Sequence, residues 1–377
     1  MINWLLKYRE FIARRRLERA NILYVSKDYP AAILLYQKIL HTFPDHYAAY
    51  SNLASSYYEM QDYSQALPLL EHLAVVDADN PWWQVYLSKT YQHLHRSHDA
   101  LNSAWQAAVL SDFAMEQQIN LAYSLYEIAL EKGADFVLQK VDEFHHLLPD
   151  SAVAKQCYAA FHFDDNFTKD EPEYIEKMFD IFAPEFDTVL AALNYDSPAR
   201  ITAALAQVMP PSDDVFDVLD LGCGSGLCAF ELVKKFPKAR LFGVDISAHM
   251  LHQASLKNLY TQLVKKEITA YLAENNYSFP VIISADVLTY FGRLDSLFSA
   301  IASHLSSGGF FLFTVSENQL NDADYFLHLS SRFSHRLSYV EKSLQSAGLS
   351  LVSKSRIPLR REGDKDIIGA VFTAVKN

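Results

Sequence analysis

Over the first 150 residues, apolar positions recur with helical spacing inside a longer repeat of 34 residues. Ala32, Ala66 and Ala100 fall 34 apart, as do Tyr29 and Tyr63, and Leu53, Leu87 and Leu121. Ala20, Ala54, Ser88 and Ala122 form a further series of small residues. Small side chains at fixed places let paired helices cross closely, and larger ones fill the seams between pairs. One pair alone leaves its apolar face in water, whereas a stack buries it. The period predicts units at 13–46, 47–80 and 81–114, with a degraded fourth from 115 to about 149. Asp28-Tyr29 and Asp62-Tyr63 mark turns between the helices of a unit, and Pro44 and Pro149 close the first and fourth units.

Beyond residue 150 the pattern changes. A mixed, acidic stretch with Asp164-Asp165, Asp170-Glu171 and Pro172 predicts a linker over 151–171. Apolar residues at helical spacing between Tyr174 and Pro210 predict short helices ahead of a sheet. Short apolar runs then alternate with helical segments: Val218–Leu221, Leu241–Val244, Pro280–Ala285 and Phe310–Val315, with helices over 227–236, 248–258 and 294–305 between them. Near-continuous apolar runs mark strands buried on both faces, and the alternation predicts a parallel sheet. Gly308-Gly309 supplies the turn into the last of these strands. Two β-rich runs, 349–359 and 367–375, flank a charged turn that contains Gly363-Asp364 and predict a closing antiparallel hairpin.

Charge removes some functions from consideration. Residues 1–150 hold 12 basic against 18 acidic side chains and residues 151–377 hold 21 against 27, so each part carries −6. Neither is basic, which disfavours binding to nucleic acid. No run of about 18 apolar residues occurs, so no membrane span is expected. Near the N-terminus the apolar residues precede Arg14-Arg15-Arg16, the reverse of a secretion signal, so this segment reads as the first repeat helix, with a membrane-surface or transit helix as the alternative. Cys157, Cys223 and Cys228 show neither metal-ligand spacing nor a disulfide framework. No metal is expected, and a reducing, cytoplasmic compartment is.

The most specific chemistry lies at Val218 to Gly226, an apolar strand running into Gly222-Cys223-Gly224-Ser225-Gly226 and then a helix. A second strand ends on Asp245, 25 residues after Asp220. Glycines let the backbone approach a ligand, and a strand-end carboxylate can accept two hydrogen bonds from a ribose diol. A dinucleotide site places its third glycine where Leu227 stands, and Asp220 would repel a pyrophosphate. S-adenosylmethionine has no phosphate, and its sulfonium and ammonium suit an acid beside the loop; it is the expected cofactor.

Further candidates follow from strand ends. Glu267, ahead of Ile268, is the candidate for an adenine amino group, with a solvated acid as the alternative. Asp286 and Tyr290 follow the fourth strand, where an open α/β sheet lines its ligand crevice. Phe182, Phe186 and Tyr195 stack on the cofactor or simply pack. His335 is the best base by its ordinary titration range, with a structural role equally open, and Arg332, Arg360 and Arg361 are candidates for holding an anionic group. Asp286-Val287-Leu288-Thr289 lacks the Pro-Pro-Tyr pattern of adenine-N6 chemistry, and the later strands hold no cysteine for attack on cytosine C5.

The front repeats resemble the tetratricopeptide repeat. Residues 172 to the end resemble the class I S-adenosylmethionine-dependent methyltransferases, and the two together resemble the bacterial group of predicted tetratricopeptide-repeat methyltransferases. The second resemblance rests on Phe179-Asp180, Phe186-Asp187, Val218 to Gly226, Ala285-Asp286-Val287, Tyr290-Phe291-Gly292, Ser331-Arg332-Phe333-Ser334-His335 and Leu359-Arg360-Arg361-Glu362. Phe182 departs from it, standing where a tyrosine is usual.

The resemblance implies an α-solenoid over 1–150, then a Rossmann-like domain over 172–377 with a mostly parallel seven-stranded sheet and a C-terminal antiparallel hairpin. It implies cofactor contacts from Asp220, Gly222, Cys223, Gly224, Gly226, Asp245, Ile246, Glu267, Ile268, Asp286 and Tyr195, with His335, Tyr290 and Asp286 as catalytic candidates. The repeat family holds peptides or proteins on its concave face. Asn21 and Asn52 fall at positions of its carboxylate clamp, but Leu17, Trp82 and Tyr86 occupy the basic positions, so that mode is rejected. Trp82, Trp83, Tyr86 and Tyr91 line a groove or, more in keeping with the repeat, pack its core. The expected function is methyl transfer to an unidentified acceptor, with the repeats recruiting a protein substrate or partner. The alternatives are a small-molecule methyltransferase whose repeats serve oligomerisation, and a non-catalytic S-adenosylmethionine-binding interaction protein.

Overall fold

The computed structural model describes residues 2–164, 166–193, 195–210, 214–362 and 365–377 of the chain. They form two compact units, Met1–Glu143 and Phe144–Asn377. The front unit begins with three helical hairpins: Ile2–Val25 with Tyr29–Thr42, Tyr47–Glu59 with Tyr63–Val76, and Pro81–His93 with Ser97–Leu110. Met115–Lys132 and Leu138–Leu147 follow. The small residues do what the period requires: Ala20, Ala32, Ala54, Ala66 and Ala100 are fully buried, and Ser88 donates to the carbonyl of Ala100 (2.9 Å).

The same period is written into the backbone. Lys27, Gln61 and His95, again 34 apart, are left-handed (φ 62°, 59° and 57°) and end each first helix. Asp28 and Asp62 then cap the second helices, accepting from the amides of Ala31 (3.3 Å) and Gln65 (3.2 Å), while Arg96 gives no side-chain cap in the third. Asn52 donates to Asn21 (2.9 Å), so the two clamp-like asparagines bind each other. Trp83 and Tyr91 are buried and donate to Asp77 (2.8 Å) and Glu71 (2.7 Å), which makes them packing residues; Trp82 keeps 41% of its surface exposed.

In the second unit, nine strands occur among the described residues: β1 Asp217–Leu221, β2 Arg240–Asp245, β3 Gln262–Lys265, β4 Phe279–Ser284, β5 Leu305–Ser316, β6 Tyr325–Leu327, β7 Phe333–His335, β8 Leu349–Glu362 and β9 Lys365–Lys376. Seven form one sheet in the order β3-β2-β1-β4-β5-β9-β8, parallel through β5 and closed by antiparallel β9 and β8. The turn expected at Gly363-Asp364 lies outside the described residues. Successive residues feed opposite faces: Val218, Val281, Ile283 and Leu312 join one core cluster, whereas Leu219, Ile282, Phe311 and Phe313 join the other. Helices cover both faces, which is why these strands read as unbroken apolar runs.

Three details differ from the sequence reading. Gly308-Gly309 lies within β5 rather than ahead of it: Phe279 pairs with Leu305 and Val281 with Phe310, so a bulge at Gly308 (φ 72°) takes up the extra residues. The short pair β6–β7 forms a separate hairpin that three-residue strands do not announce. The division falls after Glu143 rather than 150, and the expected linker 151–171 carries helix Ala152–His162. Ala159 and Ala160 of that helix pack with Leu327 and Phe333, so apolar periodicity there outweighed the acidic flank. Among the described residues no helix is long and apolar enough to cross a membrane, and no cluster of His, Cys, Asp or Glu is suited to a metal ion.

Gly369 fixes how closely β9 approaches its neighbours, because a Cβ there would lie 2.2 Å from the carbonyl oxygen of Val315 and 2.3 Å from Leu359 Cδ1. Gly369→Ala is expected to lower the unfolding free energy of the sheet unit by about 1–3 kcal/mol, read from urea denaturation.

Candidate active site

β1 pairs with β2 on one side and β4 on the other, and strand order reverses there. Connections leave the two sides towards opposite faces, so a crevice opens beyond the C-terminal ends. A cavity of about 1020 Å³, its mouth included, occupies the crevice. Gly222 and Gly224 reach it from the loop after β1, Asp245 and Ile246 from the end of β2, Glu267 and Ile268 from beyond β3, and Asp286 and Tyr290 from beyond β4. Tyr195, Phe186, Arg332 and Arg360 are further sequence-predicted residues that the fold brings to this wall.

The loop exposes main chain for a physical reason. Gly222 is left-handed (φ 71°), and a Cβ on it would lie 2.3 Å from Val287 Cγ2, so the loop packs directly against the segment after β4. Gly224 (φ 53°) has only Phe186 Cε1 near its missing Cβ, at 3.9 Å, which leaves its backbone facing the cavity. Asp245 is fixed by two amides: Gly224 N donates to Oδ2 (2.8 Å) and Ser247 N to Oδ1 (2.9 Å). Burial raises its carboxyl to about 6, against the pull of those amides.

Glu267 caps helix Ile268–Glu274 by accepting from Ala270 N (2.9 Å), and it also accepts from Lys169 (3.0 Å). Burial works against its charge, but these donors and Thr269 outweigh burial and lower its pKa. Asp286 is left-handed (φ 56°); its amide donates to Thr314 Oγ1 (2.8 Å), which in turn donates to Asp286 Oδ1 (2.9 Å). A carboxylate-bearing residue tolerates this conformation, and the exchange with Thr314 locks it.

Asp220, Cys223, Gly226 and His335 do not line the cavity. Asp220, expected beside a cation, is buried behind the loop, where Tyr260 donates to Oδ2 (2.6 Å) and burial raises the carboxyl to about 7. Gly226 gives Tyr260 its space, a Cβ there lying 3.1 Å from that ring, and the Cys223 thiol is packed against Gly243. His335 is fully buried on β7; Nε2 donates to the carbonyls of Phe291 (2.7 Å) and Gly292 (3.1 Å), and Nδ1 has no partner. Burial lowers its pKa to about 4, so it pins the segment after β4 rather than moving protons in the cavity. Tyr339 is likewise structural, accepting from Leu294 N (2.8 Å).

Two further wall residues carry no recognisable signal of their own. Lys169 and Asp170 sit in the expected linker, yet both face the cavity. They are strapped there by a backbone hydrogen bond from Asp170 N to the Tyr290 carbonyl (3.1 Å). Phe179 and Phe186 also line the cavity, and the acid after each ties its helix to the sheet: Ser247 donates to Asp180 (2.7 Å) and Ser225 to Asp187. Lys257 bridges Asp187 (2.7 Å) and the Ser225 carbonyl (2.7 Å). The repeated Phe-Asp pattern is thus a wall residue followed by a tether. Phe182, by contrast, keeps 38% of its surface exposed. Arg332 and Arg360 reach the cavity, whereas Arg361 faces Asp366 (3.9 Å) on the hairpin.

A family model of a methyltransferase domain matches residues 218–309, and a tetratricopeptide repeat model matches residues 23–89. The chain is similar to human methyltransferase-like protein 27, with 37% identity over 95 residues, 24% of this chain and 38% of that protein. It is similar to malonyl-[acyl-carrier protein] O-methyltransferase 2 of Ilyobacter polytropus, with 27% identity over 134 residues, 33% of this chain and 50% of the relative. Trans-aconitate 2-methyltransferase of Pseudomonas paraeruginosa is 34% identical over 92 residues, 24% of this chain and 33% of the relative. The chain therefore spans half or less of the length of these three relatives. Among solved structures, an S-adenosylmethionine-dependent methyltransferase from Clostridium acetobutylicum aligns with 53% of this chain and 99% of its own, at 20% identity and a TM-score of 0.40.

The placement of His335 has a measurable consequence. Its folded pKa lies below the ordinary 6.5, so its stabilisation is present above 6.5 and is lost as pH falls towards 4. Relative to His335→Gln, the native chain is expected to lose about 3 kcal/mol between pH 7 and pH 4 in urea denaturation. Parallel pH profiles for the two proteins would contradict the placement.

Proposed function

Because the chain carries a methyltransferase domain behind a tetratricopeptide-repeat segment, we propose that it transfers a methyl group from S-adenosylmethionine to an acceptor that enters the crevice, while the repeats recruit a protein substrate or partner. The observation that carries this reading is Asp245, held at the cavity wall by the amides of Gly224 and Ser247.

The fit to the cofactor follows from the wall. A Cβ on Gly224 would meet only Phe186 Cε1, at 3.9 Å, so the bare backbone offers room for the amino-acid part. Asp245 takes the ribose diol, Ile246 and Ile268 flank the base, and Glu267 is placed for its amino group. Asp220 supports the loop from behind through Tyr260. When bound, S-adenosylmethionine supplies a methyl group on a sulfonium, a good leaving group. The chain's task is then alignment and exclusion of water. Phe179, Phe186 and Tyr290 supply the apolar wall, with Phe179 edge-on to Tyr290 at 5.6 Å.

Two of the relatives are named for a malonyl group on an acyl-carrier protein and for trans-aconitate, a protein-bound and a free acceptor. The repeat segment favours an acceptor presented by a protein here. The catalytic unit lies within Phe144–Asn377, with the strap at Lys169 and Asp170 completing its wall.

Calorimetry tests the cofactor assignment. S-adenosylmethionine is expected to bind the native chain, and Asp245→Asn to weaken binding by roughly 10- to 100-fold. Affinity should fall about tenfold per pH unit below 6, where Asp245 takes up a proton, and level off above 7. Equal affinity in the two proteins, or no change across that range, would defeat the ribose assignment.

A further inference from the structure

We infer that the front unit docks a protein segment through its lysine or arginine side chains, seated on Tyr58, Tyr63 and Tyr86 beside Glu59; this names the kind of partner for the recruitment reading above and rests on it. Tyr58 lies at the end of the first helix of the second hairpin, Tyr63 opens the second helix of that hairpin, and Tyr86 stands on the first helix of the third. The ring of Tyr58 is nearly perpendicular to that of Tyr63 (centroids 5.7 Å apart, 76°) and to that of Tyr86 (4.9 Å, 80°). One period earlier, Tyr24 and Tyr29 make the same edge-on pair (5.4 Å, 67°). An aromatic face carries negative potential, and rings set at right angles present it to one cation from two sides.

Their hydroxyls set these rings apart from the packed tyrosines of the same unit. Tyr36, Tyr47 and Tyr91 donate to Asn21, Asp77 and Glu71. Tyr24, Tyr58, Tyr63 and Tyr86 are partly exposed, and among the described residues their hydroxyls have no hydrogen-bond partner. Glu59 is exposed and enters no ion pair among the described residues. It follows Tyr58 directly and reaches across the seam to the first hairpin: burial raises the Tyr29 phenol, and Glu59 raises it further by its charge and as a hydrogen-bond acceptor. Burial also raises Tyr63 and Tyr86, with Glu59 adding to the rise in both and no cation opposing it.

Charge and length together select the occupant. The first 150 residues carry −6, and Glu59 without a counter-ion would repel an acidic segment and attract a basic one. An ammonium or guanidinium seated here gains the carboxylate and the aromatic faces at once. The aromatic positions recur over three hairpins, at Tyr24 and Tyr29, at Tyr58 and Tyr63, and at Tyr86. Neighbouring helices pack about 8–10 Å apart. A path over three hairpins therefore runs on the order of 20 Å, the reach of about six extended residues. A free amine would cover one corner of that path, whereas an extended chain with spaced basic side chains covers its length.

Fluorescence anisotropy on the full chain tests this with labelled peptides of repeating Gly-Ser-Lys, Gly-Ser-Gln and Gly-Ser-Glu, and with lysine amide as a competitor. The lysine peptide is expected to bind at physiological salt, at least about tenfold more tightly than the glutamine peptide or lysine amide. Its affinity should fall by about threefold or more in Glu59→Gln and in Tyr86→Leu. Glu59 is exposed, so Glu59→Gln reports on the surface even if Tyr86→Leu disturbs packing. Glu10→Gln removes the same charge about 20 Å from Tyr24 along the first helix and should match the native chain. Equal losses in Glu59→Gln and Glu10→Gln, affinity unmoved by Glu59→Gln, or lysine amide competing as well as the peptide would overturn the inference. Tighter binding of the glutamine or glutamate peptide would overturn the cationic assignment and leave recruitment standing. Binding of none of the three peptides would overturn the inference and the recruitment reading together.

Discussion

The constraint on which the site depends is the reversal of strand order at β1. With β2 on one side and β4 on the other, the chain must part beyond the strand ends, and the parting leaves main chain uncovered. Two left-handed glycines keep it uncovered. Gly222 presses against Val287, and Gly224 faces the cavity with almost nothing beside it. The amides freed by this turn are not wasted, since Gly224 N holds Asp245 and thereby couples the loop after β1 to the end of β2. A bulkier residue at Gly222 would separate the loop from the segment after β4 and disturb both walls together.

Around that centre the fold adds walls by tethering. Asp180 and Asp187, each one residue after a wall phenylalanine, bind Ser247 and Ser225, so the helices ahead of the sheet are fastened to the same two loops that carry Asp245 and Gly224. The strap at Lys169 and Asp170 is fastened to Glu267 and to the Tyr290 carbonyl. His335 closes the remaining side by holding Phe291 and Gly292. The cavity is thus built from strand ends and kept in shape by side-chain bonds between loops, an arrangement suited to aligning two reactants.

Much of this was legible in the sequence, and the reasons for what was not are specific. The 34-residue period and the strand-loop-helix at Val218 to Gly226 survive because backbone needs dictate residue type at fixed spacing. Asp245, Glu267, Asp286 and Tyr290 were placed by strand ends alone. His335 misled because titration range says nothing about burial, and its imidazole lies beneath the wall. Asp220 misled because adjacency to the loop does not specify the side on which a side chain emerges; on a buried strand it points to Tyr260. Asp170 hid in an acidic stretch that resembles solvent-facing linker, and only the partner Gln156, 14 residues away, shows it to be interior. The β6–β7 hairpin that presents Arg332 is too short to leave a periodic signal.

The central claim is that bare main chain at Gly222 and Gly224 and the carboxylate of Asp245 together form a nucleoside seat free of phosphate contacts. A crystal structure of the full chain with S-adenosylhomocysteine tests it most directly. The account requires ribose hydroxyls on Asp245 and the amino-acid end along the glycine loop. Density for the ligand anywhere else, or a pocket closed by the chain's own side chains under saturating ligand, would contradict it.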